Sequence, residues 1–162
     1  SVFLNSQSAP LKEGLMGGTL STAWPLLRVA QLQPKMEYRG IKKFLDRQLH
    51  EVSYRAAKGG GDVKIQLYFD PATFRHVASK YAFEIGAGVG TRESSNENPE
   101  SYYSVTEIFD DFRAVDGLTL PFKYRLQYSA ENKNASSLYD WTVIVASISH
   151  NQNLDNQVFV IK

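Results

Sequence analysis

The 162-residue sequence contains no cysteine. A disulfide framework, a thiol nucleophile and a cysteine-ligated zinc site are therefore excluded. No apolar run approaches the ~20 residues that a membrane-spanning helix requires, so we expect no transmembrane segment. The first residues show no signal-peptide pattern either.

An excess of charge of one sign is also missing, since 18 basic and 17 acidic residues give a net charge of +1. A nucleic-acid-binding protein needs a basic patch that displaces counterions from phosphates, so this balance argues against such a partner. The three histidines, His50, His76 and His150, are too scattered to indicate a metal site. No G-x-S-x-G nucleophile motif occurs. We therefore expect neither a metal, nor a cofactor, nor an enzyme.

One glycine-rich segment, Gly86–Gly90, follows a predicted strand and invites comparison with a nucleotide-binding loop. That loop requires a helix immediately afterwards, because the helix N-terminus holds the phosphate. The residues that follow are polar and typical of a loop, and the glycine spacing differs from G-x-G-x-x-G. We expect Gly86–Ser101 to be a long loop instead.

What the sequence does have is aromatic residues, with nine Phe, nine Tyr and two Trp, and aromatics favour strands. From Met36 onward apolar residues recur at every second position, which indicates strands with one apolar face. Asp62–Asp70 and Leu118–Ser129 show the alternation most clearly. Asp116-Gly117 precedes the second of these and is a strong hairpin signal. The remaining predicted strands are Met36–Phe44, Gln48–Ala57, Phe74–Ile85, Tyr102–Arg113, Tyr139–Ser149 and Val158–Ile161.

Tight turns between most of these strands predict antiparallel pairing of sequence neighbours. Before them, Lys12–Val29 shows a helical apolar stripe, which Gly17-Gly18 and Pro25 would divide into two pieces. The predicted fold is mainly β (α+β). It is one domain over residues 1–162, in which a curved antiparallel sheet forms an unclosed half-barrel. The Leu15–Leu27 helical segment covers its concave face.

Several longer stretches resemble a known family. They are "LKEGLMGGTLSTAWPLL", "LHEVSYRAAKGGGDVKIQLYFD", "VKIQLYFDPATFRHVASKY", "SVTEIFDDFRAVDGLTLPFKYRLQY" and "DWTVIVASISHNQNLDNQVF". Together they span about Leu11 to Val160 and resemble the outer-membrane lipoprotein-sorting (LolA/LolB-like) superfamily, most of all its uncharacterised bacterial branch. The shared elements are an "FDP-T" turn, a "DFR-VDG-LP" hairpin and a closing "N-LD-F" segment.

The resemblance implies a strongly curved antiparallel sheet with helices on its concave side. It also implies a periplasmic or cell-envelope location and an apolar cavity that carries acyl chains of lipoproteins. Members of the superfamily have an additional N-terminal helix and strand before the part that matches Leu11. We therefore expect a domain without that part.

The apolar face of the sheet is the candidate ligand site. The residues predicted to line an apolar cavity are Trp24, Val63, Ile65, Leu67, Phe69, Leu120, Phe122, Tyr124 and Leu126. Two functions are compatible with them. One is a carrier that holds an acyl chain or lipoprotein. The other is a structural or protein-interaction domain with a filled core, because cores are normally close-packed. In the second case an exposed edge strand or the Gly86–Ser101 loop would contact an envelope partner.

A small acidic group, Glu107, Asp110 and Asp111, lacks the ligand spacing of a calcium loop. We expect it on a solvated strand edge, where Glu107 and Asp111 share strand parity with Arg113 and could form surface ion pairs. The alternation of the preceding strand predicts His76 on the polar face.

Overall fold

The computed structural model describes residues 26, 29–55, 63–85 and 101–153. Within these residues a short helix, α1 (Val29–Leu32), precedes seven strands. The strands are β1 (Lys35–Phe44), β2 (Arg47–Arg55), β3 (Lys64–Phe69), β4 (His76–Ile85), β5 (Ser101–Val115), β6 (Leu118–Asn132) and β7 (Ser136–Ile144). The predicted covering helix Leu15–Leu27 lies outside the described residues except for Leu26, which is helical. The segment 86–100, predicted as a loop, and the predicted strand Val158–Ile161 also lie outside them.

All seven strands form one antiparallel sheet in the order of the sequence, β1-β2-β3-β4-β5-β6-β7. Each strand thus pairs with its sequence neighbours, which confirms the predicted meander. Within the described part of the chain, β1 pairs only with β2 and β7 only with β6, so the sheet is open and half-barrel-like.

Directly opposite residues of antiparallel strands share a face, so the register shows which side chains lie together. One row runs from Val52 through Leu67, Ser79, Glu107 and Leu126 to Trp141. A parallel row runs through Tyr54, Ile65, Tyr81, Val105, Tyr128 and Tyr139. We call the face that carries both rows the apolar face. The polar face carries Gln66, Lys80, Thr106 and Gln127.

Burial is greatest in the middle of the apolar face. Leu67 and Val105 have no exposed surface, and Tyr81 is 2% exposed. A second cluster contains Leu49, Tyr68, Val77 and Ala78, against which Phe44 and Phe112 pack. There the rings of Phe44 and Tyr68 stack with centroids 3.9 Å apart. Apolar packing thus holds both sides of the sheet, because a seven-stranded sheet cannot be stable on its hydrogen bonds alone.

The turn between β3 and β4 is organised by Asp70, which belongs to the "FDP-T" element. One carboxylate oxygen accepts hydrogen bonds from the backbone N–H groups of Ala72 and Thr73 and from the Thr73 hydroxyl. The other accepts from Arg47 at 3.2 Å. These bonds lower the pKa of Asp70, the Thr73 backbone contributing most. The element is therefore a structural turn cap.

The hairpin between β5 and β6 turns at Asp116-Gly117, as the sequence predicted. Both residues have positive φ, 49° and 82°, and the flanking Val115 and Leu118 are paired. Two central residues with positive φ match the right-handed twist of the strands. Further along the hairpin, Pro121 cannot donate to β5, and β5 is irregular beside it, because Asp111 has a φ of 51°.

The last described strand differs from its predicted range of Tyr139–Ser149, since β7 spans Ser136–Ile144. It begins earlier because Asn132 closes a tight turn, its side-chain oxygen accepting from the N–H groups of Asn134 and Ala135. After Ile144 one further ladder bond forms, from the Val145 N–H to the Phe122 carbonyl at 2.8 Å.

Candidate functional site

The predicted cavity residues that the structure describes lie on the apolar face, in two stripes separated by β4 and β5. Trp24 lies outside the described residues. One stripe, Val63, Ile65, Leu67 and Phe69, follows β3, and the other, Leu120, Phe122, Tyr124 and Leu126, follows β6. The alternation in the sequence therefore identified residues that share one face, although they are more than 50 positions apart.

These side chains differ in burial. Leu67, Phe122 and Leu126 are buried, at 0%, 5% and 6% exposure, and form part of the core. The others are half-buried: Val63, Ile65, Phe69, Leu120 and Tyr124. Val63, Ile65 and Tyr124 pack against the buried cluster of Tyr81, Val105 and Leu126. The half-buried positions surround the buried ones, so only they present surface that a ligand could contact.

Polar side chains of β4 and β5 lie between the two stripes and contact Tyr124 of the second stripe. We call this group the Glu107 cluster: His76, Ser79, Tyr81, Glu107 and Tyr124. Glu107, on β5, has no exposed surface, and it pairs across the sheet with Ser79 on β4 and Leu126 on β6. The Tyr124 hydroxyl donates to Glu107 Oε1 at 2.6 Å, and Tyr81 also hydrogen-bonds the carboxyl. The other oxygen, Oε2, is buried and has no hydrogen-bond partner among the described residues.

This environment sets the charge of Glu107. Burial raises the pKa of the carboxyl from 4.5 to about 7, although the hydrogen bonds from Tyr124 and Tyr81 favour the ionised form. Burial, together with the neighbouring Glu107, raises the pKa of Tyr124. Near neutral pH the Glu107 carboxyl is therefore balanced between two states. The neutral state can donate a hydrogen bond and the ionised state can only accept one.

His76 and Ser79 form a second bonded pair within the cluster. Ser79 Oγ lies 2.9 Å from His76 Nε2, and the imidazole also hydrogen-bonds the backbone of Ala78. The ring centroids of Phe69 and Phe109 lie 5.4 and 5.2 Å, respectively, from that of the imidazole. Burial lowers the pKa of His76 to about 4, so the ring is neutral at pH 7. The prediction that His76 lies on the polar face was wrong, because β4 pairs irregularly with β3 at this point and His76 faces Phe69.

A serine bonded to an imidazole is the arrangement that activates a nucleophile. Ser79, however, has no exposed surface, so its hydroxyl cannot meet a substrate without a rearrangement of the sheet. The arrangement as it stands fixes side-chain positions. It also satisfies the hydrogen-bonding groups of two polar residues that would otherwise be buried at a cost.

The prediction for the acidic group was partly wrong. Asp110 and Asp111 are exposed, and Asp111 forms the expected ion pair with Arg113, whose Nε donates at 3.0 Å. Glu107 is buried instead of solvated, because its position on β5 faces the same side as Val105 and Phe109. The sequence carried this signal, since Glu107 alternates with those two apolar residues.

An open trough of about 840 Å³ lies at the end of the sheet where β2, β3 and β4 meet, and residues of both faces line it. Its lining consists of Arg39, Glu51, Ser53, Tyr54, Arg55, Val63, Lys64, Ile65, Gln66, Ala82, Glu84 and Tyr102. Charged groups at its rim already pair: Arg39 with Glu37 at 3.0 Å, and Lys64 with Glu84 at 3.6 Å. Of the predicted cavity residues that the structure describes, only Val63 and Ile65 border it. The trough therefore differs in lining from the apolar cavity expected from the sequence.

Within residues 29–55, 63–85 and 101–153, no three acidic or histidine side chains are grouped so that they could hold a metal ion. No helix in the described part of the chain is both long and apolar enough to cross a membrane.

Comparison with known proteins does not assign the chain to a family. No family model, curated protein or solved structure matches the chain. The likeness to lipoprotein-sorting proteins therefore stays a prediction from the residues quoted above.

Proposed function

We propose that this chain is a non-catalytic, carrier-like protein of the bacterial cell envelope that holds an apolar ligand with one polar group against the apolar face. One observation carries the proposal. The Glu107 carboxyl is buried in the middle of an apolar surface and has one oxygen without a partner among the described residues. Ligand sites typically combine apolar walls with a few polar groups that fix orientation.

The energetic argument begins with the cost of that carboxyl. Burying a polar group without a hydrogen bond is unfavourable by roughly 1–3 kcal/mol, so a core that needed only stability would have an apolar residue here. A hydroxyl, amide or carboxyl group of a ligand would satisfy Oε2 once the half-buried side chain of Tyr124, which donates to the other oxygen, moves aside and opens the buried carboxyl. The hydrocarbon part of the same ligand would bury its surface against Ile65, Tyr124 and the half-buried positions beside them, at about 25 cal/mol per Å² of apolar area.

The resemblance to lipoprotein-sorting proteins supports the same ligand class, because members of that superfamily carry acyl chains in the periplasm. We therefore place the protein in the periplasm or cell envelope and name the acyl chain of a lipid or lipoprotein as its cargo. The proposed domain is the half-barrel of that superfamily, with the Leu15–Leu27 segment covering its concave face. Release would require that segment to move, or a partner with a better cavity.

The experiment is gentle purification followed by native mass spectrometry and lipid extraction, then titration of the emptied protein with a fluorescent fatty acid. We expect bound lipid and saturable uptake. The Glu107→Leu variant should bind the fatty acid about tenfold more weakly, because it loses a hydrogen bond to the polar group. Asp110→Asn, on the same strand but exposed, should bind normally. Absence of bound lipid together with absence of saturable uptake would remove the proposal.

A second function has an observation in its favour, namely the complete burial of Leu67 and Val105. Burial of this kind is typical of a filled core. The chain would then be a structural or protein-interaction domain, and the Glu107 cluster would serve only to fix the register of β4, β5 and β6. A ligand-free protein that does not change its melting temperature with any fatty acid would favour this function.

A further inference from the structure

The outer strand β7 presents an unusual edge. All nine of its residues are exposed, including five large apolar ones: Leu138, Tyr139, Trp141, Val143 and Ile144, at 66%, 53%, 46%, 51% and 75%. Within the described residues β7 pairs with β6 alone. An edge strand exposes unpaired N–H and C=O groups, and proteins normally protect such edges with charges, proline, bulges or a covering segment.

The opposite edge, β1, has this protection. Five of its ten residues are charged: Lys35, Glu37, Arg39, Lys42 and Lys43. Its pairing with β2 shifts between Tyr38 and Ile41, next to Gly40, which has a φ of 86°. Basic side chains and a bulge both hinder the addition of another strand.

On β7 neither form of protection is present. Its single charged residue, Asp140, accepts hydrogen bonds from Arg125 and Gln127 of β6, so its carboxylate stays ionised but is paired within its own sheet. The pairing of β7 with β6 is regular over its whole length. The strand is therefore regularly paired, largely apolar and exposed, which suits pairing with another strand.

The backbone of β7 shows which groups are available for that pairing. The Val145 N–H donates to the Phe122 carbonyl of β6. Because hydrogen-bonding direction alternates along a strand, the odd-numbered residues of β7 direct their N–H and C=O groups to β6. The even-numbered residues, Leu138, Asp140, Thr142 and Ile144, direct theirs to the free edge.

We propose that two copies of the chain associate through β7, antiparallel, with the two-fold axis at Trp141. In this register Trp141 lies opposite Trp141 of the second copy, and Tyr139 lies opposite its Val143. On the polar face Leu138 lies opposite Ile144, and Asp140 lies opposite Thr142. The outward-directed residues then meet as hydrogen-bonded pairs, and the two sheets continue as one.

Neighbouring registers are less favourable for stated reasons. If one strand slid past the other by one residue, the apolar face of one copy would continue into the polar face of the other, since side chains alternate between faces along a strand. An axis at Asp140 would place two carboxylates opposite each other, which is destabilising. An axis at Thr142 would leave Leu138 without a partner inside β7. Only the axis at Trp141 pairs every exposed apolar residue of β7 with another apolar side chain.

The first measurement is the mass of the protein in solution over a concentration series, by sedimentation velocity. We expect twice the chain mass of 18.2 kDa at high concentration. Trp141→Lys should sediment as a monomer, because two ammonium groups would meet at the axis. Ile41→Lys, at an equally exposed apolar position on β1, should remain a dimer.

The second measurement uses the absence of cysteine, since any introduced thiol is the only one. Trp141→Cys should form an intermolecular disulfide under mild oxidation, because opposed residues at a non-hydrogen-bonded antiparallel pair have Cα atoms about 4.5 Å apart. Tyr139→Cys and Val143→Cys should crosslink poorly alone and efficiently when mixed.

Three outcomes would overturn the proposal. One is a monomer at every concentration, with slow amide exchange at Asp140 and Thr142, which would mean that other residues of the chain cover the edge. Another is a monomer with fast exchange at both amides, which would mean that no strand is added. The last is equal crosslinking at all three cysteine positions, which would mean non-specific contact.

Discussion

The middle of the sheet and its outer strand β7 follow the same alternation of residues and yet differ in every energetic respect. Leu67 and Glu107 in the middle have no exposed surface, whereas all nine residues of β7 are exposed. The carboxyl groups of the two regions, Glu107 in the middle and Asp140 on β7, differ in pKa. Burial raises the pKa of Glu107 to about 7, whereas hydrogen bonds from Arg125 and Gln127 lower the pKa of Asp140 to about 2. The burial of the middle has a simple cause, since its strands have neighbours on both sides and β7 has one described neighbour.

The largest expected effect is a cavity in the middle. Leu67→Ala should destabilise the protein by about 3–5 kcal/mol, because a completely buried side chain leaves unfilled volume. Leu118→Ala makes the same chemical change at a position that is 54% exposed and should change the free energy of unfolding by less than about 0.5 kcal/mol. Urea unfolding of both variants measures the contrast. Equal losses would mean that the middle is not better packed than the hairpin end.

Next is the pH dependence that Glu107 creates. Its pKa is about 7 in the folded protein, higher than the ordinary value of 4.5, so folding takes up a proton between these pH values. Stability contributed by this group is present below pH 4.5 and is lost as the pH rises through 7. The loss should be on the order of 3 kcal/mol, at about 1.36 kcal/mol for each pH unit between the two pKa values.

Glu107→Gln should remove this contribution and leave the opposite one of His76, whose pKa is lowered from 6.5 to about 4, so that the variant gains stability as the pH rises through this range. Asp110→Asn should leave the wild-type pH dependence unchanged. The measurement is urea unfolding at several pH values from about 4 to about 8, which bracket the two pKa values of the carboxyl. If Glu107→Gln retained the wild-type slope, Glu107 would have to be ionised in the folded protein, and the contrast between its carboxyl and that of Asp140 would disappear.

A smaller effect on stability is expected at the turn between β5 and β6. Gly117 has a φ of 82°, and no atom beyond its chain neighbours lies within 4 Å of the position that a Cβ would occupy. Gly117→Ala would therefore add backbone strain without a clash, and we expect a loss of about 1 kcal/mol. Gly117→Asn should lose less, since Asn tolerates this conformation. Thermal unfolding compares the two, and an unchanged stability of the Ala variant would contradict the observed turn.

The smallest effect is expected at Asp111, on the same strand as Glu107. Asp111→Asn removes an exposed ion pair with Arg113 and retains a residue that tolerates positive φ. We expect no measurable change in melting temperature at physiological salt, because water and ions screen such pairs. A clear loss at this exposed position would mean that exposure is a poor guide to energetic weight in this sheet.

The order of the strands could be predicted from the sequence, because it depends on local signals. Alternation identified Asp62–Asp70 and Leu118–Ser129, and Asp116-Gly117 identified a hairpin. Burial could not be predicted in this way. Leu67 and Trp141 have the same local pattern and lie in the same cross-strand row. Leu67, however, lies on an inner strand with further strands on each side, whereas Trp141 lies on the outer strand β7.

The Glu107 cluster was missed for a related reason. Its members come from β4, β5 and β6, and their contacts depend on the register between strands that a single sequence does not specify. His76 was assigned to the wrong face because the irregular pairing between Tyr68 and Phe69 changes the alternation of its strand. The parity of Glu107 with Val105 and Phe109 was the one usable signal.

The strictly sequential order of the strands has a consequence for how such a protein can change in evolution. Among the seven described strands every pairing joins consecutive segments, and none of these strands is inserted between two others. Duplication or deletion of a terminal hairpin would therefore alter the width of the sheet and leave the remaining partners in place. A chain built on this plan can therefore change the size of its sheet through insertions or deletions at either end of the sheet-forming segment.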